Sequence, residues 1–572
     1  MIQKLLNDYI NAYWSVSNID SLYIELINYI YNKYQRTNLE INNIDNLNKI
    51  FWLFSTNDIL KTIDEINSFR LDHVFINWKY IKDSFYKKNL WIFYTPEDIA
   101  VKMIKKLVTN FLKYKSNNIK DIKLLDYCCW TWNFSIIFIK YLIKNFNINL
   151  KDIIKNNLFF SDIDKVSLHI LKIKIINLWL DNIEDLNNIS LFWDYIFENN
   201  NKLIISKWIN AIISNPPYLS LKINSKSEQN TNLGILIQKE KELLNIKISK
   251  IKQFDTYKYS LQWVLNLYKL SLENIINILP KNWVSEIICP STIFWDITSS
   301  KIRSYLFNSW KVENIEYIKE REKTFEKVSQ SLVIFDFIKG LQNDKINIFH
   351  HTGSFELLFE DIKNIFHEKL EVPYIDKIWW WILNKLSKFK KIKELSEVRN
   401  RRWELDQTLH KKFITNNYTK YNFVRWAMLW NSNIDYKNEY VIIDDFISKK
   451  SNDYKKYDYK KYRIVSKNIA NIDNKKRINY IFCWENDILG NSCNYISIKN
   501  NSKEDLEKLR KILNSKLINW FFKIISSNNH LNNYEVDDFP MIKYQDVLNF
   551  EEENICKLYW LNNHETKYIL NY

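Results

Sequence analysis

Glycine is nearly absent: the chain has 4 in 572 residues, where ordinary usage of ~7% would give about 40. No fold class explains that deficit, because turns and close backbone approaches draw on glycine's freedom at positive φ. The six cysteines show no C-x-x-C spacing, which argues against a disulfide framework and predicts reduced thiols. No uncharged apolar run reaches the ~18 residues of a membrane span, and the N-terminus lacks the pattern of a secretory leader. Membrane and secreted readings are set aside, and a cytoplasmic location is expected. Heptads and fixed-period repeats are missing too. Residues 1–88 hold no compact acidic cluster of the nuclease kind.

What is present is ordinary in bulk and unusual in detail. Hydrophobic residues make up 46% and charged residues 26%, as in a globular chain with three or four domains at about 150 residues each. Lysine plus arginine outnumber acids 82 to 66, a formal charge of +16. Such a surplus points to a polyanionic partner, nucleic acid before membrane. The abundance of Asn, Lys and Ile looks like the imprint of an AT-rich genome. Residues 1–88 carry apolar side chains at helical spacing, as in Leu22 to Ile30. From 89 to 340, short apolar runs alternate with helical patterns. Ile122–Leu125, Asn157–Phe160 and Ala211–Ser214 read as buried parallel strands, each followed by a polar turn. An α/β open sheet is therefore expected, followed over 341–572 by a region of different character. Within that region Ser448 to Arg463 interleaves lysine with tyrosine and reads equally as a DNA-backbone contact or a solvated loop.

The tetrapeptide Asn215-Pro216-Pro217-Tyr218 follows the run Ala211–Ser214 directly. Ligands of open parallel sheets bind beyond the carboxyl ends of strands. Two prolines make a rigid loop there and donate no backbone hydrogen bond, so acceptors face the pocket. The Asn215 amide oxygen and the Pro216 carbonyl can each accept one N–H of an exocyclic amine. That grip draws the nitrogen lone pair out of ring conjugation, and Tyr218 can stack on the ring. The competing reading is a plain Pro-Pro turn. Elsewhere, His350-His351 lacks partners at metal-ligand spacing and reads as surface, with no metal expected. Lys102, Lys105 and Lys106 read as the exposed face of a helix.

The surrounding motifs carry a resemblance. The chain resembles the N6-adenine-specific DNA methyltransferases of type II restriction–modification systems, in particular those accompanying type IIS enzymes. Phe93-Tyr94-Thr95-Pro96 is similar to the family's FYTP segment, and Leu125 to Phe134 (LDYCCWTWNF) to its cofactor loop, usually written D-x-A-C-G-T-G-x-F. Asp162-Ile163-Asp164, Asp194-Tyr195 and Thr324 to Val328 are similar to later motifs. The resemblance implies a Rossmann-like methyltransferase domain over 89–340, an N-terminal helical region over 1–88 and an α+β target-recognition region over 341–572. It implies S-adenosylmethionine as cofactor, held by Tyr94, Thr95, Pro96, Asp126, Cys128, Trp130, Trp132, Asp162, Ile163, Asp194 and Tyr195. Asn215, Pro216, Pro217 and Tyr218 would be catalytic, and Phe325 would contact the extruded base. Double-stranded DNA would be the substrate, and the restriction endonuclease a separate chain. Arg402 to Asp406, Val424 to Trp426 and Asn528 to Pro540 resemble pieces of the recognition half. Alternatives are an RNA or protein-glutamine methyltransferase and a non-catalytic DNA-binding relic.

One departure sits at the critical point. Trp130 and Trp132 stand where the cofactor loop has glycines that let the backbone approach the ligand. Trp91, Trp193, Trp283, Trp403 and Trp426 occupy further glycine slots of the resemblance. One bulky residue replacing glycine at so many separate motifs predicts a decoding effect: UGA codons read as glycine but written as tryptophan. Trp520, in a helical apolar run, reads as authentic.

Overall fold

The computed structural model describes residues 59–76, 79–82, 95–130, 133–162, 164–179, 190–193, 209–218, 265–318, 331–402, 404–430, 433–469, 476–526 and 530–572, with short pieces within 21–29 and 242–261. Two compact units emerge, one of residues 1–360 with 368–372 and one of 361–367 with 373–572. Their cysteines are all free thiols. No helix among the described residues is long and apolar enough to cross a membrane.

The first unit is built on a mixed sheet. Its strands are β1 (Leu124–Tyr127), β2 (Leu158–Asp162), β3 (Ser190–Trp193), β4 (Ala211–Ser214), β5 (Val284–Pro290), β6 (Asn314–Ile318), β7 (Leu332–Lys339), β8 (Lys345–His350) and β9 (Gly353–Leu358), in the order β9-β8-β6-β7-β5-β4-β1-β2-β3. β3, β2, β1, β4 and β5 run parallel, while β7 is antiparallel to both β5 and β6. The sequence makes these strands because β1, β2, β4 and β5 are short, almost wholly apolar and buried along their whole length. Continuous burial is what a parallel sheet covered on both faces requires. The three runs expected as parallel strands are β1, β2 and β4, each shifted by at most two residues. The α/β, Rossmann-like class expected from the sequence is the one adopted. The sheet continues past residue 340, where the methyltransferase domain was expected to end: the hairpin β8–β9 joins it through parallel pairing of β8 with β6.

Helix α1 (Glu97–Tyr114) packs on β4 and β5 and against helix α2 (Asn133–Phe146). Its lysines are not all solvent-facing. Lys106 turns inward, 4.0 Å from Glu286 and 3.8 Å from Asp336, two fully buried acids that pair across β5 and β7. Asp336 is well supplied with donors, from Asn110 at 2.9 Å and the backbone of Glu313 and Asn314 at 3.0 and 2.8 Å. Glu286 is not: neither carboxyl oxygen has a hydrogen-bond partner among the described residues, and burial pushes its pKa well above the usual carboxylate range, opposed by the Lys106 charge. Helix α3 (Lys165–Trp179) is tied to the N-terminal helices: His169 pairs with Asn28 at 2.5 Å, Lys174 with Asp64 at 2.5 Å, and Arg70 with Asp164 at 2.6 Å.

The second unit is α+β. Val398–Arg402, Cys493–Ile498, Arg463–Lys467 and Ile481–Cys483 form an antiparallel sheet, flanked by helices such as Lys503–Leu513 and Lys516–Ile525. Its keystone is Glu404. Both Glu404 and Arg463 side chains are 0% exposed and paired. Glu404 also accepts from the Tyr454 hydroxyl at 2.6 Å and the Leu489 N–H at 2.7 Å, so its charge is solvated by the protein. Glu404 and its neighbour Leu405 are thus core, while Arg401 and Arg402 before them are exposed. Within the lysine–tyrosine stretch, Tyr454 and Arg463 point inward to Glu404, and Lys450 donates to the Glu404 carbonyl. Lys456 and Lys460 remain exposed.

Candidate active site

Strand order reverses at β1, with β2 on one side and β4 on the other. The crevice beyond the carboxyl ends at such a switch point is where open α/β sheets bind ligands. Asp126 ends in that region from β1, Asp162 terminates β2, and Asn215 to Tyr218 leave β4. Thr95 and Pro96 lie just before α1. The structure therefore gathers these residues, together with Cys128 and Trp130 after β1, on one end of the sheet. Tyr94, Trp132, Ile163, Asp194, Tyr195 and Phe325 lie outside the residues whose side chains are described.

The turn after β1 is tightly wound. Cys128 has φ 61° and Trp130 φ 49°, both left-handed. The Trp130 N–H donates to Asp162 at 2.7 Å and the Cys129 N–H to the Ser161 carbonyl at 3.0 Å. Asp162 also accepts the Asp164 N–H at 2.9 Å. The turn is thus stitched onto the end of β2. A left-handed conformation costs a residue with a Cβ roughly 1–2 kcal/mol relative to glycine's freedom.

Asp126 is fully buried. The Ser135 hydroxyl donates to one of its oxygens, and the other has no hydrogen-bond partner among the described residues. Such an orphaned acceptor costs ~1–3 kcal/mol, which a ligand's donor would offset. It is the feature by which this crevice fits a cofactor carrying an ammonium or hydroxyl group. Burial holds the carboxyl up at about 7, opposed by the Ser135 hydrogen bond and reinforced by the charge on Asp162. The folded chain therefore keeps a proton that an unfolded one releases near pH ~4. Stability from this group is complete below that pH and is lost as pH rises through about 7. Asp126→Asn, without ligand, is expected to gain on the unsubstituted chain over that interval, by roughly 3–4 kcal/mol at its upper end. Denaturant melts at a series of pH values test this, and parallel profiles for the two chains would exclude it.

The loop after β4 is locked from beneath. Ser214 donates to the Tyr127 carbonyl at 2.6 Å, and Asn274 to the Tyr127 hydroxyl at 2.8 Å. Above them, the Asn215 side-chain NH₂ donates to the Thr95 hydroxyl at 2.9 Å and the Tyr218 hydroxyl donates to the Asn215 amide oxygen at 2.6 Å. Burial drives the Tyr218 phenol far above its ordinary range, keeping it a neutral donor. Tyr218 is only 5% exposed, and its hydroxyl engages Asn215. Ser135, Asn274 and the pairing of Thr95 with Asn215 escaped the sequence reading. Only Ser135 carried a local signal, a hydroxyl one turn into the helix after the cofactor loop.

The tryptophans divide by geometry. Trp130 lies in the left-handed region, whereas at the Asn282-Trp283 turn the positive φ of 63° falls on Asn282. Trp283 is buried at the start of β5 and Trp426 opens a short 3₁₀ turn, neither with positive φ. Trp91, Trp132 and Trp403 lie outside the described residues, as does the side chain of Trp193. Trp520 is fully buried in its helix. A new case appears at Trp560, with φ 63°. The helix Glu552–Leu558 ends there with Trp560 N–H on the Lys557 carbonyl at 2.9 Å and Leu561 N–H on the Cys556 carbonyl at 3.1 Å. That paired closure is the Schellman stop, whose left-handed residue is usually glycine.

No known family profile matches the chain. Over 95 residues it is 33% identical to the type II methyltransferases M.HincII and M.HindII of Haemophilus influenzae. The match covers 17% of this chain and 18% of the length of each relative. Among solved structures, the type IIG restriction endonuclease BpuSI superposes with a TM-score of 0.46 at 13% identity, covering 97% of this chain and 74% of its own. The type IIL restriction–modification enzyme MmeI, in complex with DNA, gives a TM-score of 0.44 at 12% identity, covering 94% and 81%.

Proposed function

We propose that this chain, a relative of type II restriction–modification methyltransferases over the matched stretch, transfers a methyl group from S-adenosylmethionine to N6 of adenine in duplex DNA. The observation that carries the proposal is the Asn215-Pro216-Pro217-Tyr218 loop, held at the switch point beside the buried Asp126 and Asp162. Asp126 and Asp162 would hold the cofactor, which supplies an electrophilic methyl group on a sulfonium. The target adenine leaves the base stack to reach the loop. Asn215 Oδ1 accepts one amine N–H and the Pro216 carbonyl accepts the other. An amide oxygen has two lone pairs, so the Tyr218 hydroxyl on Asn215 leaves one for the substrate. Held so, the nitrogen lone pair forms the new N–C bond as the C–S bond breaks, and the surplus proton passes from nitrogen to water. These are donors and acceptors set in place before the reaction, the arrangement that contributes most when it matches the transition state. The surplus of +16 supports a nucleic-acid substrate, and the second unit would read the sequence. A separate endonuclease would be its partner.

The reading includes glycine at some positions written as tryptophan, through UGA decoded as glycine. Trp130 and Trp560 support it: each is left-handed, one in the turn after β1 and one at a helix stop. The reaction is tested by incubating the chain carrying Trp130→Gly and Trp132→Gly with duplex DNA and methyl-labelled S-adenosylmethionine, then digesting to nucleosides. N6-methyl-2′-deoxyadenosine should carry the label. Label on cytosine, RNA or protein glutamine, or none at all, overturns the proposal.

A further inference from the structure

The resemblance places Thr95 against the cofactor, but the structure gives its hydroxyl to the catalytic loop. Thr95 is 4% exposed and lies 120 residues before Asn215, brought there by the docking of α1 on β4. The Asn215 carboxamide is planar and has two orientations of similar shape. In one, the oxygen meets an incoming amine; in the other, the NH₂ does, donor against donor. The observed bonds select the first, since Nδ2–H donates to Thr95 and Oδ1 accepts from Tyr218. Losing a proton-donating bond through the Thr95 side would also lower the electron density that the amide pushes onto its oxygen, because hydrogen bonds at the two ends of an amide reinforce each other.

We infer that Thr95 is a positioning residue, which holds the Asn215 amide with its oxygen toward the substrate amine and so sets the rate of the methyl-transfer step. This rests on the proposed reaction. It makes the segment before α1 part of the base-holding machinery, through Asn215, in place of a simple cover for the cofactor.

The test compares Thr95→Val, which keeps the shape and loses the hydroxyl, with Thr95→Ser, which keeps the hydroxyl. Both are made in the chain carrying Trp130→Gly and Trp132→Gly. Single-turnover methylation of duplex DNA is measured alongside S-adenosylmethionine affinity by calorimetry. Thr95→Val should slow the transfer step about tenfold or more, the scale of one lost positioning hydrogen bond, with cofactor affinity unchanged within about twofold. Thr95→Ser should recover most of the rate. If Thr95→Val loses its thermal transition, Thr95→Ala provides the same comparison. A hydroxyl-free variant as fast as the parent carrying Trp130→Gly and Trp132→Gly with Thr95 intact overturns the inference alone. So does a variant whose loss appears equally in cofactor affinity, which would return Thr95 to the cofactor. Absence of methylation by that parent overturns the reaction itself, and this inference with it.

Discussion

Asn215→Ala is expected to lower the methylation rate constant by at least about 10³-fold while S-adenosylmethionine binds within about twofold of its original affinity. Alanine removes the acceptor for one amine hydrogen and the partner of both Thr95 and Tyr218. The loop itself should hold its course, because its footing is separate: Ser214 on the Tyr127 carbonyl, Asn274 on the Tyr127 hydroxyl, and β4 paired on both sides. An effect confined to the rate is the signature of an interaction made in the transition state. Single-turnover kinetics with calorimetric cofactor binding measure the two quantities. A variant that still transfers at a tenth of the original rate would remove Asn215 from the chemistry.

Trp130→Gly with Trp132→Gly is expected to raise S-adenosylmethionine affinity by more than about tenfold over the chain as written. At Trp130 the reason is partly conformational: φ 49° is costly for any side chain and free for glycine. It is also steric, since the Trp130 N–H is stitched to Asp162, one of the two acids proposed to hold the cofactor, so the indole is carried on the turn beside that acid. Calorimetry on both chains decides it. Equal affinities would mean that the indoles are compatible with the ligand and that glycine is not needed there. Peptide mass spectrometry of the protein made in its own host tests the decoding directly, with glycine expected at 130 and 560.

The parallel half of the sheet was legible because each of β1, β2 and β4 is a short apolar run that ends in a polar turn. That pairing of signals is local. The antiparallel half was harder: β6, β8 and β9 carry mixed polarity toward one edge of the sheet, β7 is mostly apolar and buried between β5 and β6, and their pairing depends on contacts that no window of sequence contains. The Asn215 loop was legible for its consecutive prolines after a strand. Its orientation was not, since Thr95 is remote in sequence and meets Asn215 only after α1 has packed. The role of Glu404 was hidden for a related reason: in sequence it sits in a segment resembling the recognition half, and only the fold reveals that Arg463, 59 residues on, has come to meet it in the interior. Lys106 is a milder case, a lysine on a polar helical face whose ammonium bends toward two acids inside the sheet.

The bonds from α3 to the N-terminal helices bear on how this protein can be dissected. A fragment starting at the FYTP segment would keep every residue assigned to the chemistry, yet it would strip Asp64 from Lys174 and Arg70 from Asp164. The Lys174 ammonium is completely enclosed, and a cation stranded in that way must shed its proton or open the helix around it. Asp164 begins the very turn that Asp162 organises. The leading helices thus act as a splint on α3 and the turn after β2, and a fragment excised without them would arrive already loosened.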